Sequence, residues 1–405
     1  MDAGISADAP LTALPDGAVV VIQSDAAPAK LDLALPSDGV AETLADDSLA
    51  VRFANLILAT YPQAASISTD NLGRARGWDY NNGIVLHGIQ KVYERRPDPK
   101  YLAYLKTFVD AYVSAEGALN IAATQTLDLI QPATLLLFLY EQTKDAKYLK
   151  GAATIRQRLD GYAKNTAGGF WHKDTYPNQM WLDGIFMVQP FLAKYGALDA
   201  TCGAYCFDTP VNQITLLASH TKTANGLYVH AWDESKAATW ADKTTGLSPE
   251  VWDRGLGWFA MALVDILPYL PDSHAGKATL LATFTSLAEA VKAVQGPTGL
   301  FYQVMDKGTL ADNWVETSGS GMFVYALKTG VDRGYLPSSY LEVAQKGFAG
   351  LKPKITNDAK GQPVLSDSVA GMSVQNTYAL YVSQAKLTNS PHGLCGILLA
   401  ASAME

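Results

Sequence analysis

The sequence predicts an all-α fold built from six helical hairpins, and three observations carry this expectation. From residue 48 onward the chain runs as long apolar segments joined in pairs. The two members of each pair differ in kind. Strand-like alternation is scarce, and no polar linker splits the array, so one helical domain is expected over 47–405. The first member of a pair is apolar nearly all round, as in "IVLHGIQKVY" and "GIFMVQPFL". The second is amphipathic with Lys, Arg and Glu, as in "YLKGAATIRQRL". A helix apolar on every side belongs in an interior; an amphipathic one faces water. Six such pairs suit an inner ring of buried helices inside an outer ring. An open solenoid is the other arrangement, but it needs more regular repeats than these.

The elements follow in order. "SLAVRFANLILATYP" opens the array. "WDYNNGIVLHGIQKVYERR" turns at "PDP" into "KYLAYLKTFVDAYVSA". "LDLIQPATLLLFLYEQTKD" leads to "AKYLKGAATIRQRLDGYAK", where Tyr148, Ala152, Ile155 and Leu159 recur at helical spacing. "MWLDGIFMVQPFLAKYG" is followed by "TPVNQITLLASHTKT", and "RGLGWFAMALVDILPYL" by "GKATLLATFTSLAEAVKAVQ". "SGSGMFVYALKTGVDRGY" precedes "SSYLEVAQKGFAGLKPK", and "VQNTYALYVS" and "HGLCGILLAASAM" close the chain. Pro, Gly and Asp punctuate the joints. Two connections, 164–178 and 223–252, are long, and long connections in a compact fold are usually functional. Residues 1–46, rich in Ala, Asp and Pro, read as an extended N-terminal arm with one strand at "VVVIQ".

Composition narrows the partners. The chain has 405 residues, 48% of them hydrophobic and 17% charged, with 8 Trp and 20 Tyr. That suits a globular protein with aromatic-lined cavities. The net charge of -8 without any Lys/Arg run lacks the basic footprint of a nucleic-acid binder. No apolar run reaches membrane-spanning length, so no membrane partner is expected. Cys202 and Cys206 in "CGAYC" form either a small disulfide loop or two free thiols. With the arm, they lean toward an exported location. No Cys/His set has metal spacing, and no Walker, dinucleotide-binding, H-E-x-x-H or G-x-S-x-G pattern occurs, so no metal and no cofactor is expected.

Unusual polar and aromatic residues collect at the starts of the inner-type helices or just before them. They are Trp78, Asp79 and Tyr80; Asp128; Trp181 and Asp183; Arg254 and Trp258; Thr317 and Ser318. In a ring of parallel inner helices these starts share one mouth and converge on one pocket. Helix N-termini there favour an anionic ligand, and Lys173, His172, His230 and Arg254 add cationic or hydrogen-bonding groups. Each also has a plain structural reading. Asp128 suits a helix N-terminus, a lone Trp suits a core, His172 and His230 suit loops, and Arg254 suits pairing with Asp253 or Glu250. Asp183 is hardest to explain that way, because a carboxylate inside an apolar helix start is costly. His87, His220, His274 and His392 read as structural. Carboxylates beside aromatic platforms are equipment for working on sugars.

Three stretches carry a resemblance: "GGFWHKDTYPNQMWLDGIFMVQPFLAKYG", "GLYVHAWDESKAATWADKTTGLSPEVWDRGLGWFAMALVDILPYLP" and "GLFYQVMDKG...NWVETSGSGMFVYAL". They resemble the unsaturated rhamnogalacturonyl hydrolases, glycoside hydrolase family 105, from about residue 50 to the end. The resemblance implies an (α/α)6 barrel, in agreement with the pair count. It implies removal of a Δ4,5-unsaturated uronic acid from the non-reducing end of an oligosaccharide made by a pectin-type lyase. It puts the catalytic aspartate of the "MWxDG" motif on Asp183 and the second active-site aspartate on Asp128. It puts substrate-pocket positions on Tyr80, His172, Trp181, His230, Arg254 and Trp258. Unsaturated glucuronyl hydrolases acting on ulvan or glycosaminoglycan fragments are the neighbouring alternative; a non-catalytic helical-repeat binder is the remote one.

The chemistry implied is hydration of a vinyl ether, with Asp183 as proton donor and then as base toward water. Apolar neighbours and the nearby Asp128 are expected to raise the Asp183 pKa so that it keeps its proton. Arg254 is an expected partner of the uronate carboxylate or of a nearby substrate group.

Overall fold

The computed structural model describes residues 43–405; the N-terminal arm up to residue 42, including the strand expected at "VVVIQ", lies outside the described residues. Among the described residues, twelve helices make up the frame. The inner ones are α2 (Tyr80–Arg95), α4 (Thr134–Thr143), α6 (Leu182–Leu198), α8 (Asp253–Ile266), α10 (Thr317–Asp332) and α13 (Pro391–Met404). The outer ones are α1 (Leu49–Thr60), α3 (Pro99–Asp110), α5 (Ala146–Arg158), α7 (Tyr205–Thr221), α9 (Gly276–Ala293) and α11 (Tyr340–Leu351). One short helix, α12 (Tyr378–Val382), stands outside the frame. Each inner helix packs on the next, α2 on α4, α4 on α6, and so on through α8, α10 and α13 back to α2. The ring is therefore closed, and the fold is the (α/α)6 barrel.

Local sequence explains the starts. Asp98 accepts from the Lys100 N–H with Pro99 in the first turn, Asp145 accepts from the Lys147 N–H, and Ser390 caps α13 through the Gly393 N–H. The inner helices are buried on all sides: every residue of α8 from Asp253 to Val264 is buried. The amphipathic α9 buries only Leu280, Phe284, Leu287, Ala288, Ala290 and Val291. Glycines let the ring tighten. A Cβ on Gly321 would lie 2.5 Å from the Gly396 carbonyl oxygen, so α10 and α13 meet backbone to backbone.

The few strands sit in loops. Among the described residues they form four two-stranded antiparallel sheets. One joins β1 (Gln179–Trp181) to β2 (Ala231–Asp233), with Trp181 opposite Ala231. Others hold a long excursion, residues 363–389, that lies between α11 and α13 and packs on the starts of α8 and α10. Cys202 and Cys206 are bonded to each other.

Candidate active site

The β1–β2 pairing puts two segments of the chain face to face. Leu182, which follows β1, donates its N–H to the carbonyl of His230, which precedes β2, at 3.0 Å. Asp183 is the next residue, in the first turn of α6. Its Oδ2 lies 3.0 Å from His230 Nε2, and His230 Nδ1 lies 2.9 Å from the Tyr381 hydroxyl. His230 is fully buried, while the Asp183 carboxylate keeps 15% of its surface and faces a cavity.

Asp128 approaches the same cavity from a single turn, Leu127–Leu129, capped by the Thr126 side chain. Lys173 Nζ pairs with its Oδ2 at 2.8 Å, and His172 Nε2 stands 3.6 Å from its Oδ1. The backbone explains this meeting. Leu127 N–H donates to the His172 carbonyl and His172 N–H to the Gln179 carbonyl, so three segments lie side by side. Gly184 leaves room, since a Cβ there would lie 2.9 Å from Leu127 and 3.2 Å from His172 Nδ1. The Trp181 ring stacks nearly parallel to His172 at 4.3 Å and to Tyr176 at 4.9 Å. Tyr80, at the start of α2, bonds His392, at the start of α13, at 3.2 Å. The starts of α2, α6 and α13 and the turn before α4 thus open on one cavity of about 540 Å³.

A family model described as Glycosyl Hydrolase Family 88 matches residues 49–405. The chain superposes with TM-score 0.80, at 33% identity, on the C. acetobutylicum ATCC 824 glycoside hydrolase from family 105, over 87% of this chain and 98% of that one. The chain belongs to glycoside hydrolase family 88/105. Protein Atu3128 of Agrobacterium fabrum is 39% identical to this hydrolase over 169 residues, 41% of this chain and 71% of that protein. The Bacillus subtilis unsaturated rhamnogalacturonyl hydrolase YesR is 24% identical over 295 residues, 70% of this chain and 78% of that protein.

The electrostatics of the hydrolase's site correct the expectation for Asp183. Burial does push its pKa up, but the His230 imidazole hydrogen-bonded to it, with His172 behind, outweighs burial. The net direction is down, so the carboxyl of the free protein is ionised. Burial lowers the pKa of His172 and, with Arg254 nearby, takes that of His392 well below the usual imidazole range. Tyr80 and Tyr381 are raised by burial and stay phenols.

The structure divides the expected site residues into two groups. Tyr80, Asp128, His172, Trp181 and Asp183 line the cavity, as does Lys173. His230, Arg254 and Trp258 do not. His230 stands behind Asp183. Trp258 is buried against Phe186 at 5.0 Å and His392 at 6.3 Å. Arg254 is 1% exposed and donates to the Val369 and Ala370 carbonyls, at 2.8 Å each, and to Ser318 Oγ. The expectation that Arg254 holds a substrate carboxylate is therefore corrected: its guanidinium is spent on backbone carbonyls. Thr317 and Ser318 are buried under the same excursion, Thr317 bonding the Asp367 and Ser366 carbonyls. Trp78 is core, stacked on Phe108 and bonded to the Leu129 carbonyl, and Asp79 caps α2.

Other positions at or behind the cavity were not among the expected site residues. His392 was expected to be structural and lines the cavity, with Arg76, Tyr176, Met372, Ser373 and Leu387. The convergence of inner-helix starts pointed to His392, since "SPHG" opens the last inner helix. Tyr381 had no local signal. His87 lies by Asp265, His220 stacks on Trp232 and His274 pairs with Asp208, none of them at the cavity.

Proposed function

We propose that this hydrolase removes a Δ4,5-unsaturated uronic acid from the non-reducing end of lyase-generated, rhamnogalacturonan-type pectin oligosaccharides, by hydrating the C4=C5 vinyl ether. The observation that carries the reading is the Asp183 carboxyl, open to the cavity on one side and bonded to His230 on the other. Lys173 and Arg76 are the cations lining the cavity among the described residues, and they suit the uronate carboxylate. Trp181 and Tyr176 offer faces for a sugar ring. The 24% identity to YesR supports the pectin class.

The ionised Asp183 of the free protein acquires its proton through the substrate. A uronate entering the cavity adds negative charge and displaces water, and both raise the pKa of the carboxyl. Asp183 then gives its proton to C4. The positive charge that develops spreads over C5 and the ring oxygen, facing the Asp183 carboxylate now formed. Water adds at C5 and loses its proton to that carboxylate. The hemiketal opens and releases the aglycone, and Asp183 is protonated again for the next turn. Asp128, neutralised by Lys173, orients hydroxyls or the water. Loss of the acid costs roughly 10²–10⁴ in rate. Asp183→Asn is expected to fold, bind the oligosaccharide and leave the ultraviolet absorbance of the conjugated double bond intact. Turnover near the wild-type rate would refute the assignment. Parallel assays on rhamnogalacturonan, ulvan and chondroitin disaccharides decide the substrate class: preference for either of the last two replaces the pectin reading.

A further inference from the structure

The residue that completes the Asp183 site comes from the part of the chain with the least resemblance to the motifs above. Tyr381 sits on α12, inside the excursion 363–389. It is fully buried, and its hydroxyl meets His230 Nδ1 at 2.9 Å. Its backbone is held as well: Gln303 Nε2 donates to the Tyr381 carbonyl at 3.0 Å.

Hydrogen-bond accounting then sets the imidazole. A carboxylate only accepts, so the His230 nitrogen that faces Asp183 must carry a proton. A neutral imidazole with its proton on Nε2 leaves Nδ1 as an acceptor, and the Tyr381 hydroxyl at 2.9 Å is a donor that meets it. For the neutral imidazole, both contacts are met with Tyr381 O–H donating to Nδ1 and Nε2–H donating to Asp183 Oδ2.

We propose that Tyr381 is a positioning residue that fixes His230 as an Nε2–H donor to Asp183. This rests on the reading of Asp183 as the acid. The bond matters most after the proton has gone to C4, when Asp183 becomes a carboxylate facing the cation. A donor already aimed at it costs no reorganisation at that moment. Without the phenol, the Nδ1–H tautomer competes. It turns an Nε2 lone pair toward the carboxylate and leaves the donor position empty. The protein spends a buried side chain on this contact across 151 residues of sequence.

The variant Tyr381→Phe keeps the ring and removes the hydroxyl. Its kcat is expected to fall about 10- to 100-fold, the scale of a lost bond to a buried group, with KM within about threefold. In the substrate-free protein, the ¹⁵N resonances of His230 are expected to move away from the Nε2–H tautomer. Adding Tyr381→Phe to His230→Gln is expected to cost no further rate, because the phenol acts through the imidazole. Unchanged kcat overturns the proposal. So does a fall in kcat with unchanged His230 resonances, since that would be a packing effect. The resonance measurement needs no substrate. If the wild-type protein does not turn over unsaturated uronides, the functional reading fails while the tautomer assignment is still decided by the spectrum.

Discussion

At the scale of one residue, Asp183 shows two opposed effects and which of them wins. Apolar neighbours and burial favour the neutral acid, yet a buried imidazole at 3.0 Å favours the carboxylate more. On the proposed reading, the acid is made competent by its substrate. This gives a pH prediction. The free enzyme governs kcat/KM and the complex governs kcat. With Asp183 depressed in the free enzyme, kcat/KM is expected to fall as pH rises through the acidic range. In the complex the uronate lifts the carboxyl, so the basic limb of kcat is expected at higher pH. Profiles whose basic limbs coincide would contradict this. Asp183 was legible in the sequence because a carboxylate inside an apolar helix start is costly, and Asp128 through the family resemblance. The direction of the pKa was not, because the deciding imidazole is 47 residues away.

At the scale of an element, the excursion 363–389 is nailed down before it reaches the cavity. Val369 is held by both of its backbone polar groups: its N–H donates to Glu316 Oε1 at 2.9 Å and its carbonyl accepts from Arg254 at 2.8 Å. Arg254 takes the next carbonyl too, and its guanidinium lies 4.6 Å from the Trp252 ring. Beyond that clamp, Gly371, Met372 and Ser373 line the cavity. The variant Arg254→Lys keeps a charge but lacks the planar fork. Amide exchange over residues 369–373 is expected to accelerate roughly tenfold or more in the substrate-free protein, while α9 exchanges as in wild type. Unchanged exchange there would mean that the fork does not hold the segment. "WDRGLGW" was legible as a functional cluster. That its arginine grips backbone was hidden, because carbonyls 115 and 116 residues on carry no sequence signature.

At the scale of the whole molecule, the barrel closes where α1 meets α13. Glu405 makes the seam: its Oε1 accepts from the Leu49 N–H at 3.2 Å and its Oε2 from the Ala50 N–H at 3.1 Å. Ser48 takes the Val51 N–H, so the first turn of α1 is satisfied from both ends of the domain. Glu405→Ala removes this cap, expected to cost about 0.5–2 kcal/mol. A fall of roughly 1–4 °C in Tm is expected by calorimetry. No change would show the seam to be held by apolar packing alone. Helix pairing, and the apolar inner against amphipathic outer division, were determined by the sequence itself. Periodicity and capping are local, and burial of an all-apolar helix follows from water alone. The motif residues at the inner-helix starts were likewise present in the sequence. Only the tertiary structure decided which of them face the cavity, which way Asp183 titrates, and that Tyr381 and His392 join the site. Those outcomes depend on distances between segments far apart in the chain, and such distances exist only once the ring has closed.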